Sequence, residues 1–195
     1  MTLRRGLCAL TLAALLATGL SAQQTPSAEQ AMEIMTKYAT PGPHHKHLEP
    51  MVGNWTTKGR FWMAPGAPPM ENTGKASHKA MLGGRFIKVT YEGDFAGQTF
   101  SGEGTIGYDN FKKKYVETWT DNMGTMTLYA TGECDGQGGT RTMRGEVDDL
   151  ITGKPSWFRS VYRFDGADRY TLEMYGPGPD GKEFKTMEIT YKRGG

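Results

Sequence analysis

The stretch Gly53-Asn54-Trp55, answered near the far end of the chain by Thr190-Tyr191-Lys192-Arg193, decides how this sequence folds. A glycine two residues before a tryptophan, at the head of a first strand, lets the indole bury a large apolar face; an arginine in the last strand lays its guanidinium over that indole. A contact between first and last strands closes a sheet into a barrel. The sequence between them has to supply the strands, and it does.

After Trp55 the chain reads as strand and turn, with strands expected at 54–63, 70–82, 84–94, 97–108, 114–121, 124–134, 139–149, 156–164, 168–176 and 183–193. They are divided by turn chemistry suited to hairpins, including Gly83-Gly84, Asp109-Asn110, Asp135-Gly136 and Asp165-Gly166. No helix-period segment lies between them, so parallel crossovers are absent and the order is a simple meander. The expected fold is all-β: a closed up-and-down antiparallel barrel of about ten strands, whose closure removes the exposed edges. Gly102, Gly104 and Gly107 within one strand suit a sharp bend at a barrel corner.

Upstream of the barrel, residues 1–22 have the layout of a secretory signal: Arg4 and Arg5, an apolar run over 7–20, and a small-residue exit at Ser21-Ala22. The run is too short for a membrane span and is followed at once by Gln23-Gln24-Thr25-Pro26. The arginine pair also suggests twin-arginine export, although Leu3 and Gly6-Leu7 fit that signal poorly. Either route implies a periplasmic or secreted protein. Removing the segment takes away two arginines and no acid, so the formal charge of +2 falls to about zero and no nucleic-acid partner is implied. Cys8 leaves with it, so Cys134 has no second cysteine for an intramolecular disulfide. The expected division is a signal at 1–22, a helix and linker at 23–50, and the barrel at 51–195, which is one domain's worth of core.

Within the linker region, Ser27 and Gln30 are spaced as a capping box for a short helix, with Ala28, Ala31, Met32, Met35 and Tyr38 on one face. Such a helix is either a docked tail or a lid across the barrel. Pro41-Gly42-Pro43 ends it, and 48–52 reads as one helical turn running into Gly53. His44, His45 and His47 form a histidine cluster, but they sit in a Pro/Gly linker with no cysteine near them in sequence, and no specific metal site is assigned.

Two motifs mislead. Gly102-Glu103-Gly104-Thr105-Ile106-Gly107 matches a dinucleotide fingerprint by letter, yet it runs into Tyr108-Asp109-Asn110, a turn to another strand, instead of a helix that would hold a pyrophosphate. Asn54-Trp55-Thr56 spells a glycosylation acceptor, but its tryptophan is wanted in the core.

The chain resembles a family of secreted bacterial proteins catalogued as a domain of unknown function with a lipocalin-like (calycin) barrel. The resemblance is carried by Val52-Gly53-Asn54-Trp55, the run 61–69, Leu82-Gly83-Gly84-Arg85-Phe86, Gly107-Tyr108-Asp109-Asn110, Tyr115 with Thr118-Trp119-Thr120-Asp121, and the run 188–193. The family brings no established site residues. More distantly the chain resembles fatty-acid-binding proteins and the haem-binding nitrobindins; the haem relatives hold iron through a histidine, and the barrel body here has only His78.

Strand parity then selects an interior. Placing Arg193 beside Trp55 turns Met187, Ile189 and Tyr191 inward, and similar reasoning brings in Tyr91 with Arg85, Tyr108, Tyr115 with Trp119, Met126, Leu172 and Met174. Glu117 and Asp121 share the face of Tyr115 and Trp119, and inward acids would pair with Arg85 or Arg159. The expected ligand-binding residues are therefore Arg85, Tyr91, Tyr108, Tyr115, Glu117, Trp119, Asp121, Met126 and Arg159, with Trp55 and Arg193 closing the barrel. An interior of methionine, aromatics, arginine and acids suits a small hydrophobic or amphipathic partner with an anionic head on a guanidinium. No cofactor is assigned and no catalytic triad is legible. The alternatives are a haem-binding or carboxylate-using enzyme on the same barrel, or a filled barrel acting as an envelope interaction module.

Overall fold

The computed structural model describes residues 25–136 and 139–194; the segment read as a signal lies outside them. Ten antiparallel strands form a closed barrel: β1 (Gly53–Phe61), β2 (Met70–Met81), β3 (Phe86–Phe95), β4 (Gln98–Asp109), β5 (Lys114–Asp121), β6 (Leu128–Cys134), β7 (Thr140–Asp148), β8 (Pro155–Phe164), β9 (Arg169–Pro177) and β10 (Glu183–Arg193). Each strand pairs with the next in sequence, and β1 pairs with β10 to complete the ring. The seam register sets Trp55 opposite Arg193 and Phe61 opposite Met187. The tight β3–β4 hairpin uses Ala96 and Gly97, both at positive φ, a backbone that matches the strand twist.

Most strand ends fall within two residues of the sequence expectation, and two of the differences matter for the interior. Leu82, Gly83 and Gly84 all adopt positive φ, so the left-handed turn runs on and β3 starts only at Phe86, leaving Arg85 outside the strand. Likewise the connection after Asp121 extends to Thr127, so Met126 precedes β6 and is exposed.

One end of the barrel is plugged by the chain that leads into β1. A short helix α2 (Pro43–Lys46) and a 3-10 turn (Glu49–Met51) fold across it and bury His45, Leu48 and Met51. The Trp55 indole N–H donates to Met51 O at 2.9 Å, tying the plug to the first strand. The preceding helix α1 (Ala28–Ala39) has the expected capping box: Ser27 Oγ accepts from the Gln30 N–H, and Gln30 Oε1 from the Ser27 N–H. It is neither lid nor plug. Asn110 Nδ2 holds the carbonyls of Tyr38 and Thr40, yet no residue of α1 is buried, and Met32 and Met35 are each 64% exposed. Among the described residues no helix is long and apolar enough to cross a membrane.

Candidate functional site

Inward-facing side chains leave a cavity of about 410 Å³ between the plug and the other end of the barrel. Its floor is made by Met51, His78, Tyr170 and Tyr191, and its far end by Phe61, Phe95, Phe100, Trp119 and Met123. Met123 is half exposed, which marks the end that faces solvent. Space exists partly because β4 carries glycines where side chains would point inward. The Trp119 indole lies flat across Gly102 and Gly104, and a Cβ at either position would collide with the ring or with the β5 backbone. The glycines expected to bend a corner thus make room for an aromatic wall.

The polar groups in this wall are few. Glu117 accepts hydrogen bonds from Ser160 Oγ and Tyr162 OH, both at 2.8 Å. Burial pushes its carboxyl pKa up; the two hydroxyls and the Arg141 charge pull it partly back. Asp121 accepts from Trp119 Nε1 at 2.9 Å and from the Met123 backbone N–H at 2.9 Å. Tyr91 receives weak hydrogen bonds from Thr57 Oγ1 and Asn72 Nδ2, while Asn72 Oδ1 is buried without a partner. Glu117 and Asp121 both line the cavity. They stand about 13 Å apart along the strand, beyond the roughly 5–9.5 Å at which two carboxylates flank one glycosidic bond.

Of the residues expected inside, Tyr91, Glu117, Trp119 and Asp121 line the cavity, together with Leu172, Met174, Met187, Ile189 and Tyr191. Arg85, Met126 and Arg159 do not. Arg85 donates to the carbonyls of Ala39 and Leu82 from its turn outside β3. Arg159 alternates with the inward Phe158 and Ser160, so it points outward, pairs with Glu183 and stacks 4.0 Å above Tyr175. Met126 stays in its loop. No arginine or lysine is among the described lining residues, so neither Arg85 nor Arg159 is placed to hold an anionic head in the cavity. Ser160 and Tyr162 were missed: they reach Glu117 from β8 across the barrel, and no local spacing links them.

Tyr108 and Tyr115 lie at the plugged end. The His44 ring stacks on Tyr108 at 4.2 Å, and Tyr115 OH is 3.3 Å from His44 Nδ1, 3.1 Å from His47 Nδ1 and 3.4 Å from Cys134 Sγ. The histidine linker, which has no cysteine near it in sequence, folds onto Cys134, whose sulfur is 3.7 Å from His47 Nδ1. Burial, and then the neighbouring His47, lowers the His44 pKa and favours the neutral imidazole. Beneath them the guanidinium of Arg141, fully buried, lies 4.9 Å over Tyr115, 5.3 Å over Tyr162 and 5.5 Å over Phe164.

The one histidine of the barrel strands is not free to hold a haem iron as it stands. His78 is 2% exposed, and both ring nitrogens are engaged, Nδ1 with Met51 O at 3.1 Å and Nε2 with Tyr170 OH at 3.5 Å.

A closed ten-stranded meander, plugged at the Trp–Arg end and hollow beyond it, defines a calycin-like barrel protein. The chain belongs to the family described as "Protein of unknown function (DUF1579)", which it matches over residues 40–193. No curated protein matches it in sequence. Among solved structures it is similar to Rv2717c from M. tuberculosis, with TM-score 0.57 and 16% identity over 80% of this chain and 100% of that one. It is also similar to the S-type phycobiliprotein lyase CPES from Guillardia theta, with TM-score 0.54 and 11% identity over 87% of this chain and 99% of that one. At these identities the likeness extends to the fold alone.

Proposed function

We propose that the barrel binds a small, largely apolar molecule carrying a hydrogen-bond donor or a basic nitrogen. The observation that carries this reading is a cavity of about 410 Å³, within the roughly 300–1,000 Å³ of ligand pockets, whose lining carries the carboxyl groups of Glu117 and Asp121. Aromatic and aliphatic walls take up the apolar body. Glu117 is the acceptor for the polar end, and with no arginine or lysine among the described lining residues an anion is disfavoured there. The export layout of residues 1–22 supports a periplasmic or secreted location for this binding; N-terminal sequencing of exported protein should find its start at or next to Gln23, and retention of Met1 would sink that part.

The binding test is a thermal-shift series with octylamine, octanol and octanoate, alongside native mass spectrometry of protein purified from its own host. The amine and the alcohol should raise the midpoint more than the carboxylate at equal concentration. No stabilisation by any of the three, and no co-purified molecule, would refute the reading.

A further inference from the structure

The plugged end carries a second cluster, separate from the cavity. His44 and His47 lie three residues apart at the short helix α2, which puts both rings on one side, and that side faces the end of β6. There Cys134 brings its sulfur among them: one ligand atom from each of His44, His47 and Cys134 lies within 4.8 Å of the others. All three side chains are partly exposed, so the cluster is reachable from solvent.

We propose that His44, His47 and Cys134 bind a zinc-class transition-metal ion, with a fourth coordination position left for an outside ligand.

Three features of the geometry lead there. First, Zn–N bonds of about 2.0–2.1 Å and a Zn–S bond of about 2.3 Å at a tetrahedral angle put nitrogen and sulfur about 3.6 Å apart; the His47 Nδ1 to Cys134 Sγ distance is 3.7 Å. Second, the rings are held before any ion arrives. His44 stacks on Tyr108 at 4.2 Å and meets the His47 ring edge-on at 5.7 Å. Third, His44 Nδ1, His47 Nδ1 and Cys134 Sγ gather around a single hydroxyl, Tyr115 OH. With both imidazoles as the Nε2–H tautomer, two nitrogen lone pairs and the sulfur are available there for one cation.

Tyr115 has the right chemistry for a neighbour that orients the ligands. It is 1% exposed and 3.4 Å from the sulfur, so as a phenol it donates to the thiolate, the kind of outer hydrogen bond that fixes a metal ligand. Two imidazoles and one thiolate select zinc, or cobalt in its place, over magnesium and calcium, which demand oxygen. Bound there, the ion would clasp the plug segment to the end of strand β6.

The test uses the untagged full chain. One equivalent of Co2+ should give the intense visible bands of a tetrahedral site and a near-ultraviolet sulfur-to-cobalt band. Cys134→Ser should abolish the near-ultraviolet band, His47→Gln should weaken binding about tenfold or more, and Tyr115→Phe should weaken it by about 10- to 100-fold. A measurement needing no variant runs beside it: Zn2+, but not Mg2+, should slow alkylation of Cys134 about tenfold, scored by peptide mass spectrometry so that Cys8 is read separately. Alkylation unaffected by Zn2+, or cobalt spectra that are octahedral and unchanged by Cys134→Ser, would overturn the proposal.

Discussion

The guanidinium carbon of Arg193 lies 4.3 Å from the ring centroid of Trp55, and the two residues are register partners across the seam where the last strand meets the first. Arg193 also donates to Val52 O at 2.7 Å, to Pro50 O at 2.8 Å and to Ala167 O, so one side chain joins the plug, the seam and the β8–β9 turn. Trp55→Ala should cost about 3–5 kcal/mol, because it removes a buried indole and leaves a cavity. A double-mutant cycle with Arg193→Ala in a denaturant titration should show coupling of about 1–2 kcal/mol. Arg193→Lys should rescue poorly, since an ammonium has neither the flat face nor the fork of donors. Additive losses would mean that the contact does not stabilise the seam.

The glycine of the same motif has its own reason. Gly53 sits at φ +142, and a Cβ there would collide with Arg193 Nη1. Gly53→Ala should destabilise by about 1–3 kcal/mol from backbone strain alone, with the collision adding to it. In an Arg193→Ala background the collision is gone, so the glycine substitution should cost less there. Equal costs in both backgrounds would leave only the strain.

His78 gives the fold a pH dependence. Burial lowers its pKa from 6.5 to about 4, so the unfolded chain binds a proton over a range where the folded one does not. The stability this represents is fully present above about pH 6.5 and is lost as pH falls towards 4, on the order of 3 kcal/mol at the limit. His78→Gln keeps a donor for Met51 O and removes the titration. Stability measured from pH 4 to 7 should fall less steeply towards acid in the variant than in the wild type; parallel curves would mean that this imidazole is not the group responsible.

The seam and the parity of β9 and β10 were legible because Trp55 and Arg193 anchor a register that then fixes Met187, Ile189 and Tyr191. Arg85 and Arg159 were misplaced for different reasons. Three successive positive-φ residues delay the start of β3 past Arg85, and only the turn backbone reveals that. In β8, apolar and aromatic residues occupy both faces, with Val161 buried as well as Phe158 and Tyr162, so alternation does not say which way Arg159 points. The Glu117 partners and the meeting of Cys134 with His44 and His47 depend on contacts across the barrel and its plugged end, which no local spacing encodes.

Glu117 is where stability and the proposed binding meet. Its carboxyl pKa is raised by burial, so the folded chain holds that proton more tightly than the unfolded chain, and its contribution to stability declines as pH rises from about 4.5 through the raised value. Glu117→Gln preserves an acceptor for Ser160 and Tyr162 and removes the charge. Relative to the wild type, the variant should therefore gain stability as pH rises from 4 to 8, the opposite slope to the His78 effect. A basic ligand reverses the balance in the wild type, because an ammonium beside the carboxylate favours its ionised form, and a charge-assisted hydrogen bond contributes about 1.5–3 kcal/mol. Octylamine should accordingly bind the wild type about tenfold or more tighter than it binds Glu117→Gln at pH 7, while octanol distinguishes the two proteins little. Calorimetry or thermal shift on both proteins reads the comparison. If amine and alcohol lose affinity equally on Glu117→Gln, the carboxylate shapes the cavity without recognising charge, and the preference for a basic ligand falls.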